Sequence, residues 1–318
     1  MRSSADSADA EVRILCGPTA AGKSALAMAL AGRFGAMIVS ADSRQIYRGF
    51  DLGTAKPTPA ERARVPHRGI DVADPTDRYS AAAWAHDAER WLAEGAAAGC
   101  PPVIVGGTGF YIRALTTPLF EEPALDLERR RALERELGAM PTPALRRWCE
   151  RLDPARAELG RAQLLRALEV ALLTGVPLSR WHAHAARAAR VAGRFLLIDS
   201  GPALHAAIVA RVHAMFNAGW PEEVAELARQ LPDDAPAWNA TGYAAVREYV
   251  RGRCSRADAI EEVVIRTRQY AKRQRTWFRH QLPLERVVLL DPTAADATRR
   301  AAAWWNATPT SASHGPWA

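Results

Sequence analysis

Residues 13–24 read Arg13-Ile14-Leu15-Cys16-Gly17-Pro18-Thr19-Ala20-Ala21-Gly22-Lys23-Ser24. The apolar run Val12 to Cys16 leads straight into glycine, and the second half has the G-x-x-x-x-G-K-S spacing of a phosphate-binding loop. An Ala/Leu/Met-rich helical pattern from Ala25 to Phe34 follows at once, so strand, loop and helix stand in the order this motif requires. The glycines let backbone N–H groups turn inward on a polyphosphate, with the positive end of the helix dipole behind them. Gly17, Pro18, Thr19, Ala20, Ala21, Gly22, Lys23 and Ser24 are therefore the candidate diphosphate-binding residues, and Lys23 is their fixed cation. The Ser24 hydroxyl is a hard oxygen suited to magnesium. Kinases, NTPases and enzymes whose leaving group is diphosphate all use such a cradle, so the loop leaves the chemistry open.

Two further apolar runs read as buried parallel strands, Ala36 to Val39 and Pro101 to Val105. The first ends in Ser40-Ala41-Asp42-Ser43-Arg44-Gln45, the second in Gly106-Gly107-Thr108. Ligands of a doubly wound sheet sit outside the carboxyl ends of its strands, which brings Asp42 and Thr108 towards the phosphate loop. Asp42 is the candidate catalytic carboxylate, the alternative being a helix cap. Trp84 and Trp91 fall at helical spacing and are expected in the core.

From Leu119 to Arg190 the strand signal stops, and helices are expected over 126–138, 143–151 and 154–174, with arginines on their polar faces. Phe195 to Ile198 returns to strand, and its terminal Asp199 ranks below Asp42 as a site residue because Asp42 sits in the richer polar cluster. The long helix ending at Gln281 mixes Lys272, Arg273, Arg275 and Arg279 with Tyr270, Trp277 and Phe278, which suits an RNA backbone and stacked bases. The fold class is α/β, a P-loop parallel sheet flanked by helices with an inserted all-helical subdomain. Its expected parts are a disordered leader 1–11, a catalytic core 12–118 and 191–292, a helical insertion 119–190, and a mobile tail 293–318.

Composition narrows the partners. The 318 residues suit a core plus a second unit, at roughly 150 residues per domain. A formal net charge of +7 points to an anionic partner larger than one metabolite. The scattered Cys16, Cys100, Cys149 and Cys254 form no C-x-x-C pair, which argues against a zinc knuckle or disulfide framework. No signal-peptide pattern and no apolar run of ~18 residues stands in the chain, so a cytoplasmic protein without membrane contact is expected.

The stretches GPTAAGKS, SADSRQIYRGFDLGTAKP, PHRGIDVADPTDRYSAA, VIVGGTGFY, RALEV and YAKRQRTWF occur in this order between residue 12 and about residue 280. In these the chain closely resembles the bacterial tRNA dimethylallyltransferases, or tRNA isopentenyltransferases. That resemblance implies transfer of a dimethylallyl group from dimethylallyl diphosphate, with magnesium, to N6 of the adenosine on the 3′ side of the anticodon. It implies Asp42 as the base, with Thr19, Lys23, Arg211 and Thr108 acting on the diphosphate. Asp42, Ser43, Arg44, Gln45 and Thr108 would meet the flipped adenosine, and Arg130, Gln163 and Arg166 would clasp the anticodon stem-loop. Leu164 stands where that family has an arginine. A monomer is expected. The rival functions are prenylation of a free adenine nucleotide, a small-molecule kinase reaction, and noncatalytic RNA binding, against which the intact Lys23, Ser24 and Asp42 stand.

Overall fold

The computed structural model describes residues 11–117, 125–184 and 191–307. The chain divides into two compact units, one from Met1–Thr116 with Val191–Ala318, the other Thr117–Arg190. The expected leader lies outside the described residues except for Glu11.

The first unit begins with β1 (Val12–Cys16), α1 (Lys23–Phe34) and β2 (Met37–Ser40). It continues through α2 (Pro59–Arg64), β3 (His67–Arg68), α3 (Ala81–Ala97), β4 (Pro102–Gly106) and α4 (Gly109–Thr116). The strands pair in parallel in the order β3-β2-β4-β1, and β5 (Gly193–Ile198) and β6 (Val287–Leu290) extend the sheet beyond β1. Ile14, Leu15, Val39, Val103, Ile104, Leu196 and Ile198 are buried, as strands with helices on both faces require. Trp84 and Trp91 of α3 join this core, and the Trp84 indole donates to the Ser40 carbonyl at 2.9 Å. Because β1 is central, its loop lies between the ends of β4 and β5, where an α/β sheet reverses its winding and binds ligands.

The second unit is helical: α5 (Leu127–Ala139), α6 (Thr142–Leu152), α7 (Arg161–Thr174) and α8 (Leu178–His184). Leu137, Leu145, Leu164, Ala167 and Leu168 form its core, so Leu164 packs inward. The helix expected over 154–174 breaks: Pro154–Arg156 makes one tight turn, and α7 starts only after Gly160. Gln163 Oε1 takes the Gly160 N–H at 3.0 Å and so closes that new helix end.

The first unit resumes after β5 with α9 (Leu204–Asn217), α10 (Trp220–Gln230), α11 (Tyr243–Val250) and the long α12 (Arg256–Gln281). Gly219 at φ 101 and Pro221 in the first turn of α10 explain the break between α9 and α10.

Of the mobile tail expected over 293–318, the described residues 293–307 are ordered instead. Residues Ala297–Asn306 form α13, with Ala301, Trp304 and Trp305 buried. Its apolar positions recur at helical spacing and bury two tryptophans, which offsets the entropy that disorder would keep. Arg13 of β1 donates to the Trp305 carbonyl at 3.1 Å and lies 4.7 Å from the Trp305 ring centre. Arg194 of β5 donates to the carbonyls of Trp305 and Ala307, which caps the last turn with charge of the sign its dipole favours. Residues 308–318 lie outside the described part.

Candidate active site

β1 delivers the chain into the loop through Gly17 at φ 149, where an added Cβ would sit 2.1 Å from the Ile198 carbonyl oxygen. Only glycine fits so close to a neighbouring strand. Gly22 at φ 86 starts α1, and Ala20 at φ 62 holds a left-handed conformation unusual for a residue with a Cβ. Such local strain accompanies ligand-binding turns. Lys23 lies against the loop, its ammonium donating to the Pro18 carbonyl at 2.6 Å. Burial and the neighbouring Arg211 guanidinium lower its pKa to about 8, against the pull of Asp42. Arg211 of α9 is lowered as well, by burial, with Asp42 opposing. Two cations crowded at one end of a cavity make a place for a multiply charged anion.

A cavity of about 860 Å³ opens here. Thr19, Lys23, Ser24, Asp42, Arg211, Tyr270 and Gln274 line its polar part, and Ala27, Met28, Ile38, Leu52, Ile70 and Met215 its apolar part. Asp42 Oδ1 accepts from the Arg44 N–H at 2.8 Å and the Gln45 N–H at 3.4 Å. Asp42 thus shapes its own turn while lining the cavity, so the capping and chemical readings of this residue coexist. The Thr108 hydroxyl takes the Ser43 N–H at 3.0 Å, and the Thr108 N–H donates to the Ala41 carbonyl at 3.1 Å. These two bonds join the turn after β2 to the turn after β4. Burial and the Asp42 charge push the Tyr270 phenol up to about 12, although its hydrogen bond with Thr108 favours ionisation. Tyr270 therefore stays a neutral donor at ordinary pH. Ser24 and Asp42 bring hydroxyl and carboxylate oxygens to one cavity, a donor set compatible with a hard divalent cation.

Other expected residues are engaged differently. The Gln45 amide lines the cavity but is fully used: it accepts from Ser40 and donates to the carbonyls of Thr54 and Ala55. It braces the loop that follows. Arg275 pairs with Asp199 and donates to the Gly201 carbonyl at 2.8 Å, so its charge is spent within the fold. Lys272 and Arg273 are exposed on α12. In the helical unit Arg130 and Arg166 both pair with buried Glu169, Arg166 at 2.9 Å.

Reading the sequence missed several lining groups. Lys56 is buried and donates to the Tyr47 carbonyl at 2.5 Å, to Asp51 at 2.6 Å and to Asp71 at 2.5 Å. Arg62 adds a second cation on Asp71 at 2.7 Å. Burial alone would raise the Asp71 carboxyl, but Lys56 and Arg62 hold it below the usual carboxylate range. Gln274 of α12 was also missed. Its Oε1 takes the Thr19 N–H at 2.8 Å and its Nε2 donates to the Gly107 carbonyl at 2.8 Å. The loop's Thr19 N–H is therefore committed to a side chain.

Fold and cavity together define a P-loop α/β protein with an anion site at the carboxyl edge of its sheet. A family model described as IPP transferase matches residues 45–281, and one described as isopentenyl transferase matches residues 10–68. The chain is 45% identical over 281 residues to a tRNA dimethylallyltransferase of Halorhodospira halophila, covering 86% of this chain and 91% of that one. It is 41% identical over 298 residues to that of Deinococcus radiodurans, covering 91% and 95%. The crystal structure of a tRNA delta(2)-isopentenylpyrophosphate transferase from Staphylococcus epidermidis matches with a TM-score of 0.66 at 28% identity, over 93% of this chain and 99% of that chain. A eukaryotic dimethylallyltransferase acting on tRNA shares the fold, with a TM-score of 0.76 at 24% identity over 92% of this chain and 77% of its own. The chain belongs to the tRNA dimethylallyltransferase family.

Proposed function

We propose that this protein transfers a dimethylallyl group from dimethylallyl diphosphate to N6 of the adenosine on the 3′ side of the anticodon of tRNA, releasing diphosphate. The observation that carries the reading is the single cavity that joins a phosphate loop, a carboxylate and an apolar wall. The diphosphate lies against the loop, Lys23 and Arg211, and the five-carbon group against Met28, Ile38, Ile70 and Met215. Breaking the allylic C–O bond moves negative charge onto the diphosphate, so fixed cations there stabilise the transition state more than the ground state. Thr108 braces the turn that carries Asp42, and Tyr270 places a phenol at the acceptor end.

Asp42 accepts the N6 proton as the new C–N bond forms, because a neutral adenine amine is a weak nucleophile. The adenosine leaves its stack to reach the cavity, with Ser43 and Arg44 at its edge. Magnesium fits the oxygen donors present: Ser24 would hold it, and it would neutralise charge on the leaving diphosphate. The helical unit supplies exposed cations such as Arg129, Arg131 and Arg147 for the stem-loop backbone, together with Lys272 and Arg273 of α12. The protein acts in the cytoplasm, and no helix among the described residues is long and apolar enough to cross a membrane.

The test is incubation with labelled dimethylallyl diphosphate and three separate acceptors: tRNA, AMP, or buffer with ATP and candidate alcohols. Label in tRNA is expected. Label in AMP but not tRNA would move the reading to a nucleotide prenyltransferase, and phosphate transfer from ATP to a kinase.

A further inference from the structure

Gln274 is 6% exposed and sits on α12 between the phosphate loop and the turn after β4. Its amide performs two opposite tasks, accepting from Thr19 N–H and donating to Gly107 C=O. A carboxamide does both at any pH, whereas an ionised carboxylate cannot donate and an ammonium cannot accept. The two partners belong to the two halves of the cavity. Thr19 is part of the loop assigned to the leaving diphosphate. Gly107 precedes Thr108, whose hydroxyl and N–H hold Ser43 and Ala41, the residues either side of Asp42. Gly107 itself is small by necessity, because a Cβ there would lie 2.3 Å from Gln274 Nε2. The flanking residues of α12 strengthen the picture: Tyr270 bonds Thr108 one turn before, and Arg275 ties the end of β5.

We propose that Gln274 is a positioning residue that sets the spacing between the leaving-group loop and the turn that carries Asp42. The inference rests on the dimethylallyl-transfer reading and deepens it. Each loop keeps its own binding contacts without Gln274, so each substrate still binds. What depends on Gln274 is the alignment of amine, allylic carbon and leaving oxygen. A displacement near 1 Å in such an arrangement costs roughly 10²-fold in rate. The signature is a loss in kcat at saturation and not in substrate affinity.

The experiment compares native protein with Gln274→Met, which keeps the volume and deletes both bonds, and with Gly107→Ala, which pushes the amide away from the other side. Single-turnover rates at saturating dimethylallyl diphosphate and tRNA are read beside separate dissociation constants and thermal melts. Each variant is expected to lose about 10- to 100-fold in rate while both dissociation constants stay within about threefold. The double variant should be no slower than the slower single, because both changes break one link. Gln274→Glu, once ionised, keeps the acceptor for Thr19 but not the donor for Gly107, and should be slow at high pH and recover as the carboxyl is protonated. Rates of Gln274→Met within about twofold of native, losses that multiply in the double variant, or rates restored by more dimethylallyl diphosphate would each overturn the proposal. If Gln274→Met loses its cooperative melt, Gly107→Ala is judged alone by the same rate and affinity criteria. Native protein that transfers nothing to tRNA would overturn the functional reading and this proposal together, whereas active native protein with equally active variants overturns only the role of Gln274.

Discussion

Lys23 is held below its ordinary pKa of 10.5, at about 8, by burial and by Arg211. Keeping the ammonium charged in the free protein thus costs on the order of 3 kcal/mol. A bound diphosphate supplies the missing negative charge and should return the pKa towards 10.5 or above. Binding between those two values then takes up close to one proton, and affinity falls about tenfold per pH unit across the window. From pH 8 down to about 7 the free ammonium is already charged and affinity should be flat, before protonation of the diphosphate itself near pH 6 weakens binding. Folding responds with the opposite sign. The unfolded chain binds the Lys23 proton up to 10.5 and the folded chain only up to about 8, so this group destabilises the fold below 8 and that penalty is lifted as pH rises through the window. Calorimetric titration with dimethylallyl diphosphate, in buffers of different ionisation enthalpy midway through the window, reads the proton directly. Lys23→Met should abolish both the uptake and most of the binding. An affinity unchanged across the window, or binding without proton uptake in native protein, would refute the argument.

Replacing Asp42 by Asn retains the Oδ1 acceptor for the Arg44 and Gln45 N–H groups, so the turn should survive and both substrates should bind. Turnover should fall on the order of 10²–10⁴-fold, and near-normal single-turnover prenylation would make Asp42 purely structural. Lys56→Met should destabilise the first unit by about 1–3 kcal/mol, because it removes the buried donor to the Tyr47 carbonyl and leaves Asp71 paired with Arg62; a melting temperature close to native would contradict that role. Binding of tRNA should weaken steeply with salt, with roughly one unit of log–log slope per neutralised phosphate, and a flat titration would remove the basic surface from the mechanism. Charge reversal at Arg130 or Arg166 is a poor probe of that contact, since it also sets a new carboxylate against buried Glu169. Exposed Arg129 and Arg131 are cleaner sites for it.

The phosphate loop, the buried strands and the long arginine-rich α12 were legible because each depends on local pattern: apolar run, glycine spacing, helical period. Asp42 and Thr108 were legible for a related reason, since both stand at strand ends that topology brings together. Lys56 was not legible. A lysine between glycine and proline reads as solvated, and only Asp51 and Asp71, brought in by the tertiary fold, make its burial affordable. Gln274 sits among charged residues on a helix, and nothing local distinguishes an amide that spans two distant loops from one in water. The two-residue β3 has too little sequence to signal itself, whereas α2 was missed although Thr58 and Glu61 form a capping box. The break before α7 was signalled only by Gly160, which a strong apolar period on either side conceals.

The clamp of Arg13 on Trp305 spans 292 positions of the chain, and it has a bearing on how the molecule is made. A ribosome releases residues in order at ~5–20 per second, so β1 emerges on the order of 15–60 seconds before its last partner. Before that, β1 waits for β5 until Ile198 is made, Thr19 waits for Gln274, and β5 waits for β6 until Leu290 is made. Contacts inside Thr117–Arg190 span at most a few tens of residues, so that unit is complete while the other is still waiting. Once residue 190 is made, the nascent chain holds a finished helical unit while β1 still lacks β5 on one edge. A chain cut short before Trp305 leaves Arg13 without this partner at the centre of the sheet.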